Sequence, residues 1–266
     1  MSDSKGWVVL TGASGGIGKA FAVALARRGH PALLVARNTS KLEALARDIR
    51  ADGGQCEVMA ADISTEAGLD SLAERARTLG QVDLLVNNAG VSRTGPFLSQ
   101  TAADESMMTR LNIDAVTALT RLFLPAMVAR DGGGIINIAS VVGFQPVPYW
   151  TTYAATKAYV LAFGQGLAHE LRNSKVRVLT VCPGFTKTGL YDESGAPGLA
   201  GKVLPFATTD DVVAGALKAY ERGRVVHVVG HMNRLLTGLG PWLPRRLLRW
   251  FMGALFAPSS PPSAVA

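Results

Sequence analysis

Tyr153 and Lys157 stand four residues apart, and Ser140 precedes the tyrosine by 13. On a helix a spacing of four puts two side chains on one face, so a phenol and an ammonium can meet at one point. A free phenol has a pKa of about 10, and bringing it near neutrality takes about 4 kcal/mol. One cation about 4 Å away supplies up to about that much at an effective dielectric of about 20. Lys157 can therefore tune Tyr153 into an acid for a carbonyl oxygen, and Ser140 can hold that oxygen by a hydrogen bond. Hydride addition to a carbonyl carbon needs such a proton at the oxygen. An isolated Tyr-x-x-x-Lys is more simply a packed tyrosine beside a lysine that reaches to solvent; here the pair is one of several features that agree.

The elements around these residues are those of an open parallel sheet. Short β-rich runs near 7–11, 32–36, 56–60, 83–86, 134–139, 176–181 and 225–229 alternate with longer amphipathic stretches. Leu42, Leu45, Ala46 and Ile49 share one helical face, and long helices are expected near 101–129 and 150–173. Runs such as Ala32-Leu33-Leu34-Val35 are too apolar for a sheet wet on one side. The expected fold is an α/β, Rossmann-type doubly wound sheet of seven parallel strands with helices on both faces. One catalytic domain is read over residues 1–230. Within it, the glycine- and proline-rich stretch of about 185–207 is expected to overhang the crevice as a substrate lid.

The first strand runs into Thr11-Gly12-Ala13-Ser14-Gly15-Gly16-Ile17-Gly18. A strand that hands over to a helix through glycines turns backbone N–H groups and the helix dipole toward a pyrophosphate. Gly12, Ser14, Gly16, Ile17 and Gly18 are the candidates, although tight turns need glycine for steric reasons too. About 20 to 25 residues on, selection of the unphosphorylated cofactor calls for a carboxylate on the ribose 2′-hydroxyl. The chain has Ala36-Arg37-Asn38 there. A guanidinium grips a 2′-phosphate through two parallel donors, so Arg37, with Asn38 and the Ser14 hydroxyl, points to NADP(H) over NAD(H). Asp62 and Ile63 can supply a carboxylate for the adenine amino group and a wall for its ring, although Asp62 can equally cap the following turn. Asn88, Ala89 and Gly90 close strand four where the backbone must pass a ribose.

With these motifs in order, the chain resembles the short-chain dehydrogenase/reductase family in its single-domain form, over about residues 5–230. The family's glycine motif falls on Thr11 to Gly18, its Asn-Asn-Ala-Gly on Asn87 to Gly90, and its serine and Tyr-x-x-x-Lys on Ser140, Tyr153 and Lys157. The resemblance implies a fourth catalytic residue, Asn112, holding a water that relays protons from Lys157. It also implies nicotinamide contacts from the segment Pro183, Gly184, Thr186 and Thr188, and a homodimer or homotetramer built on the helices near 101–129 and 150–173. Two departures stand out. Gly15 replaces the basic residue that some NADP-preferring members carry, leaving Arg37 to set the preference. The chain also continues for 36 residues past Gly230, unlike members that reduce carrier-protein thioesters.

Phe144, Val147, Tyr149 and Trp150, and then Phe185, Leu190 and Tyr191, suggest apolar, aromatic walls for a bulky hydrophobic ketone or aldehyde. No metal is assigned. Net charge is +7, and residues 200–266 hold eight basic residues against three acidic ones. The basic residues are not interleaved with aromatics on a recognisable module, which argues against nucleic acid. From 244 to 256 a basic amphipathic helix is expected, able to lie on an anionic membrane, cover a neighbouring subunit or fold back over its own pocket. Residues 231–256 read as a C-terminal extension and 257–266 as a disordered tail. The two cysteines fit buried free thiols in a reducing compartment, and the start of the chain is unlike a signal peptide, so the cytoplasm is the expected location, with membrane association as an addition. The leading expectation is an NADPH-dependent carbonyl reductase. The alternatives are a non-catalytic NADP sensor or scaffold, and a peripheral membrane reductase acting on a lipid, steroid or acyl thioester.

Overall fold

In the computed structural model, which describes residues 5–189, 199 and 206–257, the seven apolar runs become strands β1 (Trp7–Thr11), β2 (Ala32–Ala36), β3 (Cys56–Ala60), β4 (Val82–Asn87), β5 (Gly134–Ile138), β6 (Arg177–Cys182) and β7 (Val226–Val228). All pair in parallel, in the order β3-β2-β1-β4-β5-β6-β7. The order reverses at β1, which lies between β2 and β4. That reversal opens a crevice beyond the carboxyl ends of β1 and β4.

Alternation of side chains divides the core in two. Val8, Leu10, Leu34, Val86 and Ile136 face helices α1 (Gly16–Arg27), α2 (Thr39–Ala51) and, after β6, α7 (Thr209–Glu221). Val9, Leu33, Leu85 and Ile135 face α3 (Glu66–Thr78) and α5 (Ala115–Ala129) through Leu72, Leu119, Phe123 and Met127. Both faces of the sheet are therefore covered, as its all-apolar strands require. Asn38, Thr65 and Thr208 cap α2, α3 and α7, each side chain accepting from an N–H three residues on.

The long helix expected near 101–129 is broken into α4 (Ala102–Thr109), one π-helical turn (Arg110–Asp114) and α5. By length and composition alone, Ala102–Ala129 is apolar enough to cross a membrane; here α5 packs its apolar side on the sheet. The second long helix, α6 (Thr151–Glu170), is continuous. Two more follow β7: α8 (His231–Leu239) and α9 (Arg245–Phe256). Cys56 and Cys182 are buried and unpaired with each other. Most of the expected lid, and the tail beyond Ala257, lie outside the described residues.

Candidate active site

The crevice is a cleft of about 620 Å³. Its floor is the turn after β1. Gly12 and Gly16 have φ of 66° and 52°, a region that side chains rarely adopt. A Cβ on Gly12 would fall 2.9 Å from Ala89 Cα. Gly18 does not line the cleft. A Cβ there would lie 2.1 Å from the Gly12 carbonyl oxygen, so Gly18 serves the site by letting α1 press against the turn. Gly15 differs: its backbone is extended, and nothing lies within 4 Å of an added Cβ. Accordingly, Gly18→Ala is expected to weaken nicotinamide dinucleotide binding by at least about tenfold and to lower the melting temperature, whereas Gly15→Ala leaves the melting temperature unchanged. Fluorescence titration and thermal melts check both.

Around the turn, the cleft is lined by Ser14 and Ile17, by Arg37 and Asn38 after β2, by Asp62 and Ile63 after β3, and by Asn88, Ala89 and Gly90 after β4. The Thr11 hydroxyl accepts from the N–H groups of Asn88 and Ala89 at 3.1 Å. Asn88 Nδ2 donates to the carbonyls of Thr11 and Gly12 at 3.0 and 3.1 Å. The two loops are thereby locked together. Asp62 is held by the turn that follows it and lines the cleft. One oxygen accepts from the Ser64 hydroxyl (2.7 Å) and N–H (3.0 Å), while the residue also lines the cleft. Chiefly the Ser64 hydroxyl, with its N–H and the more distant Arg37 charge, holds the Asp62 carboxyl below its ordinary range against the opposing effect of partial burial. Among the described residues Asp62 is the one acidic residue lining the cleft, and Arg37 and Lys41 stand exposed at its rim and form no ion pair.

The far wall carries Ser140, Tyr153 and Lys157 together, facing Pro183, Gly184, Thr186 and Thr188 after β6. Ser140 leaves β5 and starts a 3-10 turn, Val141–Phe144. Its hydroxyl is 3.4 Å from the Pro183 carbonyl. The turn meets α6 at Gly143, where a Cβ would collide with the Lys157 backbone at 2.7 Å. That close approach brings Ser140 to the tyrosine helix.

Lys157 is buried and donates to the Ile138 carbonyl at 2.9 Å, with Nζ 5.6 Å from the Tyr153 ring centroid. Burial drives its pKa down to about 8. Cys182 lies beneath it, and burial raises that thiol to about 12, so at neutral pH the sulfur is uncharged and gives Lys157 no counter-ion.

Asn112 sits in the π turn, fully buried. Its Oδ1 accepts from Val91 N–H at 3.0 Å; its Nδ2 donates to the Val91 carbonyl at 2.9 Å and to Thr156 Oγ1 at 3.0 Å. It thus pins the loop after β4 to α6. A point where a Gly90 Cβ would stand is 3.1 Å from Asn112 Oδ1 and 3.4 Å from Lys157 Nζ. Only glycine leaves the space between those two groups open.

The expected substrate walls are arranged differently. Val147, Trp150 and Phe185 are buried in one apolar cluster with Tyr153, Met252 and Phe256, and do not line the open cleft. The Trp150 ring lies 5.3 Å from Tyr153 and 5.4 Å from Phe256, centroid to centroid. The inner face of α9 folds back on the chain's own Trp150 cluster beside Tyr153, without lining the cleft. Phe144 packs elsewhere, against Val116, Val160 and Cys182. Tyr149 holds a left-handed backbone (φ 64°), with its carbonyl accepting from Gly95 N–H at 2.8 Å. Leu190 and Tyr191 lie outside the described residues. Gly15, Lys41, Val91 and Gly189 line the cleft without having been foreseen. Lys41 was legible as a cation four residues after Arg37 in the first turn of a helix.

The short chain dehydrogenase family model matches residues 6–197. Among curated relatives, a ketoacyl reductase, HetN, from Nostoc sp. is 32% identical over 254 residues, covering 92% of this chain and 88% of its own. A short-chain dehydrogenase from Sphingobium yanoikuyae in complex with NADPH superposes with a TM-score of 0.80 at 34% identity, covering 90% of this chain and 97% of that one. The bulky-bulky ketone specific alcohol dehydrogenase from Comamonas testosteroni gives 0.77 at 30% identity, over 91% and 96% of the two chains. A short chain dehydrogenase/reductase from Burkholderia phymatum in complex with NAD gives 0.82 at 27%, over 99% and 100%.

Proposed function

The chain belongs to the short-chain dehydrogenase family, and from that premise we propose that it is an NADP(H)-dependent oxidoreductase interconverting a hydrophobic ketone or aldehyde and its alcohol. The observation that carries the reading is that Ser140, Tyr153 and Lys157 form one wall of the cleft whose floor is the glycine turn. The site suits a dinucleotide. Gly12 and Gly16 keep the turn clear for a pyrophosphate while Gly18 lets α1 close on it, Asp62 retains an oxygen for a donor such as an adenine amino group, and two cations without an ion pair among the described residues stand at the rim. Arg37 and Lys41 would hold a 2′-phosphate, while Pro183, Gly184, Thr186 and Thr188 would meet the nicotinamide end. When bound, the cofactor supplies or accepts hydride at the carbonyl carbon.

Tyr153 gives its phenolic proton to the carbonyl oxygen in the reductive direction and takes it back in the oxidative one. Lys157, held by Ile138, stabilises the phenolate that results. The Ser140 hydroxyl, free to turn from its long bond to Pro183, steadies the same oxygen. Asn112 fixes the loop carrying Gly90 and leaves a gap through which the Lys157 proton can be restored. The apolar cluster of Trp150, Phe185, Met252 and Phe256 packs behind Tyr153 and backs the cleft wall with apolar side chains, leaving the substrate class to the comparisons. The similarity to a bulky ketone dehydrogenase supports that substrate class, and the similarity to a ketoacyl reductase keeps acyl ketones within it.

Arg37 and Lys41 give the cofactor preference its own test. Arg37→Gln with Lys41→Gln is expected to weaken NADPH binding about 10- to 100-fold while leaving NADH binding unchanged, because two charge-assisted contacts to the phosphate are lost. Fluorescence titration with both nucleotides measures this. Equal losses for both would assign the two cations no part in selecting the phosphate.

A further inference from the structure

The last two helices form a surface that the reaction does not use. On α9, Leu248, Met252, Leu255 and Phe256 turn inward to the Trp150 cluster. At 100° per residue, Trp250 falls opposite these residues and Leu247 and Phe251 on the flank between, each more than half exposed and Trp250 71% exposed. The apolar arc of the helix thus runs past its packed side and out to solvent. Helix α8 continues this face with Leu235 and Leu239, and Trp242 between the helices is 85% exposed. Gln145 stands between the end of α8 and the inner face of α9. Its Oε1 lies 3.3 Å from a Cβ placed on Gly240, and its Nε2 donates to Met252 Sδ at 3.6 Å. Nine of the sixteen large exposed hydrophobic residues among the described ones fall between Met232 and Phe251. Such a concentration marks an interaction site rather than scattered exposure.

The charge carried by the two helices themselves has one sign. Arg234, Arg245, Arg246 and Arg249 are exposed and form no ion pair among the described residues. From Arg222 to the end of the sequence there is no aspartate or glutamate. A two-fold contact between two copies through this patch would bring the four arginines toward the same four, with no carboxylate from the segment to pair them. An anionic bilayer complements both features, since phosphates meet the guanidinium groups and exposed tryptophans settle at the headgroup boundary.

We infer that the α8–α9 surface docks this protein onto anionic phospholipid membranes, with Trp242, Trp250 and Phe251 entering the headgroup region and the arginines binding lipid phosphates. The surface is argued from these two helices alone, so it stands or falls apart from the reaction proposed above.

Sedimentation of the full chain with phosphatidylcholine vesicles containing about 30% phosphatidylglycerol, against phosphatidylcholine alone, reads the docking directly. The wild type is expected to pellet with the anionic vesicles at about 20 mM salt and to be released at about 500 mM. Its tryptophan emission should shift to the blue on binding. Trp242→Ser with Trp250→Ser should lower the partition coefficient about tenfold, and Arg245→Gln, Arg246→Gln and Arg249→Gln together about 100-fold, because each arginine near the surface contributes about one kcal/mol. These outward residues leave melting temperature and NADPH affinity unchanged. Wild-type protein that stays in the supernatant at low salt, or a tryptophan variant that binds as well as wild type, overturns the docking. So does a tryptophan variant that turns an oligomer into a monomer in vesicle-free sedimentation velocity, which would give the face to a second copy.

Discussion

Tyr153→Phe is expected to lower kcat for carbonyl reduction by about 100- to 10,000-fold, the range that general acid catalysis contributes. NADPH affinity and melting temperature should scarcely move. The ring that remains keeps the contacts that hold the tyrosine in place, with Trp150 on one side at 5.3 Å and Lys157 Nζ 5.6 Å from the centroid. What disappears is the hydroxyl, the single group on the cleft wall placed to protonate the carbonyl oxygen on this reading. Steady-state NADPH oxidation with an accepted ketone, set beside a thermal melt, separates lost chemistry from lost folding. A variant with wild-type turnover would remove Tyr153 from the reaction.

Lys157→Met should cost catalysis a similar factor yet stabilise the unliganded protein. The lysine is buried, its pKa falls from 10.5 to about 8, and burial is the leading cause. That depression means an unfavourable contribution to folding of about 3 kcal/mol at neutral pH, where the buried amine must carry its charge. Losing the bond to the Ile138 carbonyl returns about 1 kcal/mol of that. The variant should therefore melt several degrees higher at pH 7. Between about pH 8 and pH 10.5 the unfolded wild type binds more protons than the folded one, so wild-type stability rises with pH through that window and the gap to the variant closes. Thermal melts of both proteins from pH 7 to pH 10.5 test the sign. A variant less stable than wild type at pH 7 would show that the amine finds compensation in the folded state. In the wild type, reductive kcat/KM should fall as pH rises above about 8, because the cation that stabilises the phenolate is then lost.

The strands were legible because a sheet covered on both faces demands uninterrupted apolar runs, and Val8-Val9-Leu10 or Ile135-Ile136 can satisfy little else. The glycine turn was legible by type, but not the division of labour within it. Gly12 and Gly16 need their positive φ, and Gly18 acts through a contact with the Gly12 carbonyl that depends on how α1 meets β1. Asn112 shows the limit more sharply. By residue type it is a polar interruption in a helix, and the π turn that aims it at Val91 and Thr156 follows from how α4 and α5 pack, which no local spacing encodes. The aromatics after Ser140 were read as pocket walls because crevice loops are seldom so apolar. The burial of Trp150 in this structure depends on α9, whose partner could not be chosen from its own amphipathic pattern. That pattern named one apolar side, whereas packing divides it between Met252 and Phe256 inside and Trp250 and Phe251 outside.

The central claim is hydride transfer from NADPH to a carbonyl carbon, and isotopic labelling of the hydride tests it most directly. NADPH deuterated at the transferred position would be incubated with the protein and a panel of aromatic, aliphatic, steroid and 3-oxoacyl carbonyls, and the alcohols analysed by mass spectrometry. The account predicts one deuterium at the former carbonyl carbon of at least one apolar product, formed in step with NADP and abolished by Tyr153→Phe. Tight NADPH binding with no deuterium delivered to any member of the panel would contradict it, and would leave a cleft that holds the nucleotide for a purpose other than this chemistry.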